Sequence, residues 1–493
     1  MRSRFLFIAV TAATFNVAGC AGMHGVGPES VARSPEAIDP GSAVRAADVD
    51  AQWPDTQWWK AYGDPQLDAW MDKALTGSPS LAMAADRVRQ AQSIAGVAQA
   101  AQRPHVNGAM SLTREHWPND TYYGPGPLAS TTDWNDTATL ALSYHLDLWG
   151  RDKSNTERAL DHAHAASADA RAAQLEIELN VVRAYVNLSS NFVQLDIEQQ
   201  LHDDQVHIVD IARERLRVGL GTQLELTQAQ ARVPESERAM AVRREQIALA
   251  RNQLAALAGQ GPGAAEALAR PTLNWSGALA LPSTLPAELV GHRPDVVAAR
   301  WNVSANAHGI DAAKAAFYPD VDLLASLGGM AVGGGVLAFL NSAARGASAG
   351  PAVSLPILDG GRLRAQLGDA SAQYDLAVDT YNKTLVDAIN DIANAVVSIQ
   401  SLESQQSSAN DAVVLAQKGR ELSAQGYQRG LTDYLNVLTS QSQWLRARLD
   451  AEDVRAAQLD AHARLVAALG GGLAEPSRVP MPVAQAHSTA DGS

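Results

Sequence analysis

A single cysteine, Cys20, stands among 493 residues. A disulfide within the chain is therefore impossible, and so is a cysteine-based metal cluster. Aromatic residues are scarce at 5%, while Ala, Leu, Val and Gln dominate, which favours long helices over large mixed cores. Cationic excess is missing too: the formal net charge is −14, which speaks against nucleic acid as a partner. Beyond the N-terminus there is no run of 18 or more apolar residues, so no helix there crosses a membrane. The chain has no Gly-x-Ser-x-Gly, no P-loop and no His-Glu-x-x-His. It is read as no enzyme, with no cofactor and no resident metal.

What the chain does have is a long internal repeat. Pro79, Pro104 and Leu112 recur as Pro294, Pro319 and Leu327 at an offset of 215. Gly150, Arg151, Gly219, Leu224, Gln230 and Leu254 recur as Gly361, Arg362, Gly430, Leu435, Gln441 and Leu465 at an offset of 211. An offset held over so long a stretch marks a duplication, and its period is too long for a short solenoid unit. The two copies are expected over 51–280 and 281–472, with β-hairpins near 105–148 and 320–358 and long helices over 150–258 and 361–469.

The N-terminus has a basic start at Arg2 and Arg4, a short apolar core from Phe5 to Ala13, and the small residues Val17-Ala18-Gly19 before Cys20. This reads as a lipoprotein signal over 1–19, cleaved before Cys20, with the lipid carried on Cys20. The plainer alternative is a signal peptide with an incidental cysteine. Residues 20–50 read as a lipidated flexible tether, and 473–493 as a disordered tail.

Between the helical stretches the hydrophobic period changes. Ala138, Leu140, Leu142, Tyr144, Leu146 and Leu148 alternate with polar or small residues from Thr137 onward, as do Val106, Gly108, Met110 and Leu112. Such strands are long enough to cross a membrane. Trp117 to Trp134 reads as the connecting loop, with Trp117, Tyr122, Tyr123 and Trp134 as an interfacial girdle. In the second copy Val321, Leu323, Ala325 and Leu327 form one strand face, Gly328 to Gly350 the loop, and Val353, Leu355 and Ile357 the last strand. A soluble sandwich alternates in the same way, but four strands do not wrap a soluble core of this size.

From Gly150 to Gly219 there is neither an internal glycine nor a proline, a stretch of roughly 100 Å if helical throughout. Val181, Tyr185, Leu188, Phe192, Leu195, Val206, Val209 and Leu216 follow heptad spacing, with Gln199, His202 and Arg213 in the remaining slots, as in a partly wet helix–helix seam. Pro234 is expected to kink or restart the returning helix. A lipid-facing sheet has to close, and four strands are too few for one barrel. The barrel is therefore shared among chains, and the helices project from it as a tube.

The chain resembles the TolC family of outer membrane efflux channels, nearest its OprM/NodT-type lipoprotein branch. The residues that carry this are Val17-Ala18-Gly19-Cys20, Trp58-Trp59 with Asp64-Pro65, His292-Arg293-Pro294-Asp295, Tyr318-Pro319, Leu355-Pro356-Ile357-Leu358-Asp359-Gly360-Gly361-Arg362, and Tyr427-Gln428-Arg429-Gly430 with Tyr434-Leu435. The resemblance implies a mainly α fold with a small transmembrane β part. It implies a homotrimer with a 12-stranded barrel, an α-helical periplasmic tunnel and an equatorial domain of short helices. The implied partners are outer membrane lipids, a periplasmic adaptor and an inner membrane pump of the resistance-nodulation-division type. The channel itself would be passive.

By the same resemblance, Gly219, Leu220, Gly221, Arg429, Gly430 and Leu431 form the tip that meets the adaptor. Glu225 and Tyr427 match residues that close the tip in the family. Thr432 stands where the family has an arginine, and Asn436 and Thr439 stand where it has aspartates. Asp433 offers an acid one step away. An exit duct for an ATP-driven protein secretion system is the competing function; a non-conducting envelope coiled coil and a hydrolase are further ones. His162, His164, His202 and His207 have spacings that share no helix face, so no metal site is read from them. The lipoprotein reading has a direct check: in cells fed a clickable palmitate, the intact protein should take up label and the Cys20→Ser variant should take up none.

Overall fold

The computed structural model describes residues 23, 25–46, 53–119, 128–275 and 292–472. Cys20, the signal segment, Tyr122, Tyr123 and the tail lie outside them. The element order is α1 (Pro65–Gly77), α2 (Pro79–Ala101), β1 (His105–His116), β2 (Thr132–His145), α3 (Arg151–Arg217) and α4 (Gln223–Leu257). The second half follows with α5 (Pro294–Ala315), β3 (Asp320–Val332), β4 (Arg345–Ser354), α6 (Arg362–Gln428) and α7 (Tyr434–Ala468). The fold is mainly α with one small antiparallel sheet.

The duplication is visible in element lengths. α3 and α6 each have 67 residues, and α4 and α7 each have 35. Each long helix begins after a left-handed glycine, Gly150 (φ 77°) or Gly361 (φ 88°), a conformation that costs other residues about 1–2 kcal/mol. An aspartate then accepts a first-turn amide: Asp147 from Lys153 N–H, and Asp359 from Leu363 N–H. A carboxylate there also suits the positive end of the helix dipole. The returning helices are capped in turn. Thr222 and Glu225 form a reciprocal capping box on α4, and Asp433 accepts from Asn436 N–H on α7.

The sheet runs β1-β2-β3-β4, with all neighbours antiparallel. Its register pairs Leu142 with Ala325 and Leu140 with Leu327, so the apolar residues share one face. β2 starts five residues before the expected Thr137 and ends at His145, so Trp134 is a strand residue and Leu148 is not. The loop of the second hairpin spans 333–344 only, and β4 ends at Ser354, leaving Leu355 and Ile357 beyond it. A Cβ at Gly328 would collide with the Ala138 carbonyl and Thr139, so Gly328 lets β3 pair closely with β2.

Two buried clusters hold the middle of the molecule. In one, α5, α6 and α7 meet through Val296, Val303, Leu367, Tyr381, Leu385, Ile392 and Leu465. In the other, Trp58, Trp59, Tyr62, Leu67 and Met71 pack on Val181, Tyr185 and Leu188 of α3 and Leu254 of α4. Asp64 joins the parts: it caps α1 by accepting from Gln66 N–H (2.9 Å), and it accepts from Thr272 N–H (2.8 Å) and the Tyr185 hydroxyl (2.8 Å). Tyr62, fully buried, donates to the Leu459 carbonyl at 2.7 Å.

Three further expectations change. α4 continues through Pro234 instead of restarting. Ser236 sits two residues on, donating to the Val233 carbonyl and meeting His202 Nδ1. Val206 is exposed; below Leu195 the buried row passes to Ile197, Leu201 and Asp204, because α3 there faces α7 as well as α4. Residues 25–46, expected as a free tether, lie along α6. Glu29 and Ser30 N–H donate to Asp375, Arg33 N–H to Asn382, and Asn382 back to the Val31 carbonyl.

Removing Asp64 orphans three donors at once. The Asp64→Ala variant should lose about 2–4 kcal/mol, and Asp64→Asn less, read as a fall in the thermal midpoint of the purified protein.

Candidate functional site

The face of the sheet opposite the apolar row is mostly polar or small, with Leu324 and Met330 as its apolar members. It carries Asn107, Ser111 and Thr113 of β1, Thr137, Thr139, Ser143 and His145 of β2, Asp322 and Ser326 of β3, and Ser348 of β4. Ser326 and Ser348 are hydrogen-bonded at 2.8 Å. Where the sheet hands over to the helices, charges gather. His145 Nδ1 lies 3.0 Å from Asp322, and Arg151 Nη1 lies 2.8 Å from Asp320 and pairs through Nε with Asp152. On the outside of this junction Trp149 stacks on Tyr318 at 4.8 Å and donates to the Pro319 carbonyl at 2.8 Å.

At the far end, two tight turns join α3 to α4 and α6 to α7. Gly219 (φ 74°) and Gly430 (φ 72°) supply the left-handed residue in each. Leu220 and Leu431 stand out at 72% and 79% exposure, an apolar tip without cover among the described residues. A Cβ on Gly221 would press on Arg215. Arg429 closes α6, its N–H donating to the Gln425 carbonyl. Glu225 spends its carboxylate on its own capping box, accepting from Thr222 N–H at 3.2 Å. Tyr427 meets Tyr434 with ring centroids 5.3 Å apart, and no described contact joins it to Glu225. Asn436 donates to the Thr432 hydroxyl, and the Thr439 hydroxyl to the Leu435 carbonyl.

Asp433 is engaged twice: it caps α7, and it lies 3.7 Å from Arg215 of the other turn. Arg215 also donates to the Leu220 carbonyl at 3.2 Å. An arginine of α3 thus faces the acid beside the second turn. Nothing in the sequence signals this contact, because an arginine in the last turn of a helix is ordinary complement to the dipole.

The family described as outer membrane efflux protein matches residues 70–260 and 285–471. The chain belongs to this family. It is 55% identical over 367 residues to the fusaric acid resistance protein FusA of Burkholderia cepacia, covering 74% of this chain and 69% of that one. It is 29% identical to the multidrug resistance outer membrane protein MdtP of Escherichia coli K12, covering 95% and 97%. The crystal structure of the outer membrane protein VceC of Vibrio cholerae superposes with a TM-score of 0.78 at 33% identity, covering 85% of this chain and all of that one. Members of the family are trimeric channels that work with periplasmic adaptors and inner membrane pumps, not enzymes. This efflux channel accordingly resides in the outer membrane of a Gram-negative bacterium, with its helices as the periplasmic tunnel.

The tunnel wall of the efflux channel has a polar seam. Gln194 donates to Asp453 at 2.6 Å, and Gln441 to Asp204 at 2.7 Å, both between α3 and α7. Asp204 is 4% exposed, and burial pushes its carboxyl up to about 6, with His207 pulling the other way and Asp203 adding to the rise. Folding therefore disfavours the charged form relative to the unfolded chain. The histidines take structural places: His162 beside Asn302, His164 against Trp301, His202 on Ser236.

Asp204 stabilises the seam fully below about 4, and the contribution fades as pH rises through about 6. A displacement of this size is worth about 3 kcal/mol. The protein should be more resistant to denaturant at pH 5 than at pH 7.5, and Asp204→Asn should flatten the difference; an unaltered pH dependence in the variant contradicts this assignment.

Proposed function

We propose that three copies of this chain close a barrel of 12 strands, anchored by a lipid on Cys20, and that the tube exports organic monocarboxylates of the fusaric acid class. The observation that carries the substrate class is the 55% identity to a protein named for fusaric acid resistance. The tip chemistry fits such a cargo. Asn436 and Thr439 are exposed and neutral, and the acids nearby are engaged, Asp433 with Arg215 and Glu225 with its own capping box. A ring of unpaired carboxylates repels anions; this tip has none at those two positions, so a carboxylate passes.

In this reading Glu225, Tyr427 and Asp433 hold the resting tip. Gly219, Leu220, Gly221, Arg429, Gly430 and Leu431 meet the hairpin of an adaptor, whose apolar side chains would cover Leu220 and Leu431. The energy for transport comes from the inner membrane pump, and the channel conducts passively.

The experiment is to restore acids at the tip. In a strain deleted for the gene and complemented, Asn436→Asp with Thr439→Asp should lower resistance to fusaric acid several-fold while leaving export of a cationic dye intact. Equal loss for both compounds points to a damaged tip, and equal retention removes the charge argument. In a planar bilayer, Arg215→Ala should raise the resting conductance by freeing one turn from the other.

A further inference from the structure

The apolar rows of β1 and β2 stop early on their outer side. β1 offers Val106, Met110 and Leu112 and then Arg114; β2 offers Tyr144, Leu142, Leu140 and Ala138 and then Asp136. From Ala138 to Tyr144 the row measures roughly 20 Å along the strand. At a barrel tilt near 40° that is about 15 Å across the bilayer, short of the ~25 Å apolar band of such barrels. At the inner end the exposed Leu355 and Ile357 and the Trp149–Tyr318 stack lengthen the band.

At the outer end the connection from β3 to β4 is folded down on the same face. Leu337 N–H donates to Asp136 at 3.1 Å, and Asp136 is fully buried. Phe339 is buried over Gly329, where a Cβ would collide with the Phe339 carbonyl oxygen. Gly329 lies opposite Ala138, on the apolar parity of the sheet. Leu337 is held at φ 73°, a conformation leucine rarely adopts, so the bond to Asp136 sets this turn. From Gly333 to Ala344 there is no charged residue, yet Val336, Leu337 and Leu340 are exposed. Arg114 and Arg345, both exposed, flank the loop on that face. A guanidinium is costly in hydrocarbon and favourable beside anionic headgroups.

We infer that the 333–344 loop is a membrane-docking surface. Val336, Leu337 and Leu340 sit among the acyl chains of the outer leaflet, and Arg114 and Arg345 lie at the level of its anionic headgroups. The loop also seals Asp136 from the lipid that would otherwise meet it. The inference rests on the sheet being a barrel wall, and the experiment separates the two.

Single cysteines replace Leu340, Leu140 or Ser348 in a Cys20→Ser background, and each is spin-labelled in the full-length protein in liposomes containing anionic lipid. Collision with oxygen, which concentrates in hydrocarbon, is compared with collision with a water-soluble nickel chelate. The label at 340 should favour oxygen, as the label at 140 does, while the label at 348 on the polar face should favour nickel. If 340 behaves like 348 while 140 favours oxygen, the loop faces water and the inference falls with the barrel intact. If 140 also favours nickel, the wall reading falls and the loop with it. Asp136→Ala should narrow the spectrum of the label at 340 by releasing the turn; an unchanged lineshape overturns the anchoring role of Asp136.

Discussion

Two open edges and one greasy face govern this molecule. Among the described residues β1 and β4 end the sheet without a further strand, and Leu140, Leu142, Leu323 and Leu327 stand exposed on one side of it. In hydrocarbon each unpaired backbone group is worth several kcal/mol, so the sheet is tenable there only if other chains complete it. Everything else in the chain answers that condition. The opposite sheet face is mostly polar, as a face turned to water by closure would be, and the junction on that side carries three aspartates, one arginine and one histidine.

The helices meet a second condition, that a tube wall has neighbours on two sides. α3 packs on α4 and also on α7, so its buried positions spread beyond one heptad stripe. The seam with α7 is partly polar, through Gln194, Asp204, Gln441 and Asp453. Polar groups cost less in a seam near water than in a closed core, and they fix the register of two helices that a row of alanines would let slide. The equatorial cluster around Tyr62 and Asp64 then clamps α1, α3 and the segment after α4 into one body.

Much of this was legible in the sequence because the signals were local or periodic. The repeat offset of 211 matches helix pairs of equal length, and the alternation from Ala138 to Tyr144 fixed the strand and its faces. What escaped depended on partners distant in the chain. Gly328 and Gly329 look like loop residues until Thr139 and Phe339 are placed against them. Arg215 and Asp433 are more than two hundred residues apart, and nothing in either turn foretells their pairing. Residues 25–46 read as linker by composition, yet their backbone is bound by Asp375 and Asn382 of α6. The turns at Gly219 and Gly430 were legible from the turn pattern, whereas Glu225 and Tyr427 have separate local partners.

The central claim is that the sheet is a fraction of a closed wall built from several chains. Native mass spectrometry of the complex extracted in detergent and stripped of it in the gas phase measures this directly. The account predicts a mass equal to three acylated mature chains, with no stable single chain among the membrane-extracted species. A predominant monomer that survives extraction, its edges unpaired, would contradict it.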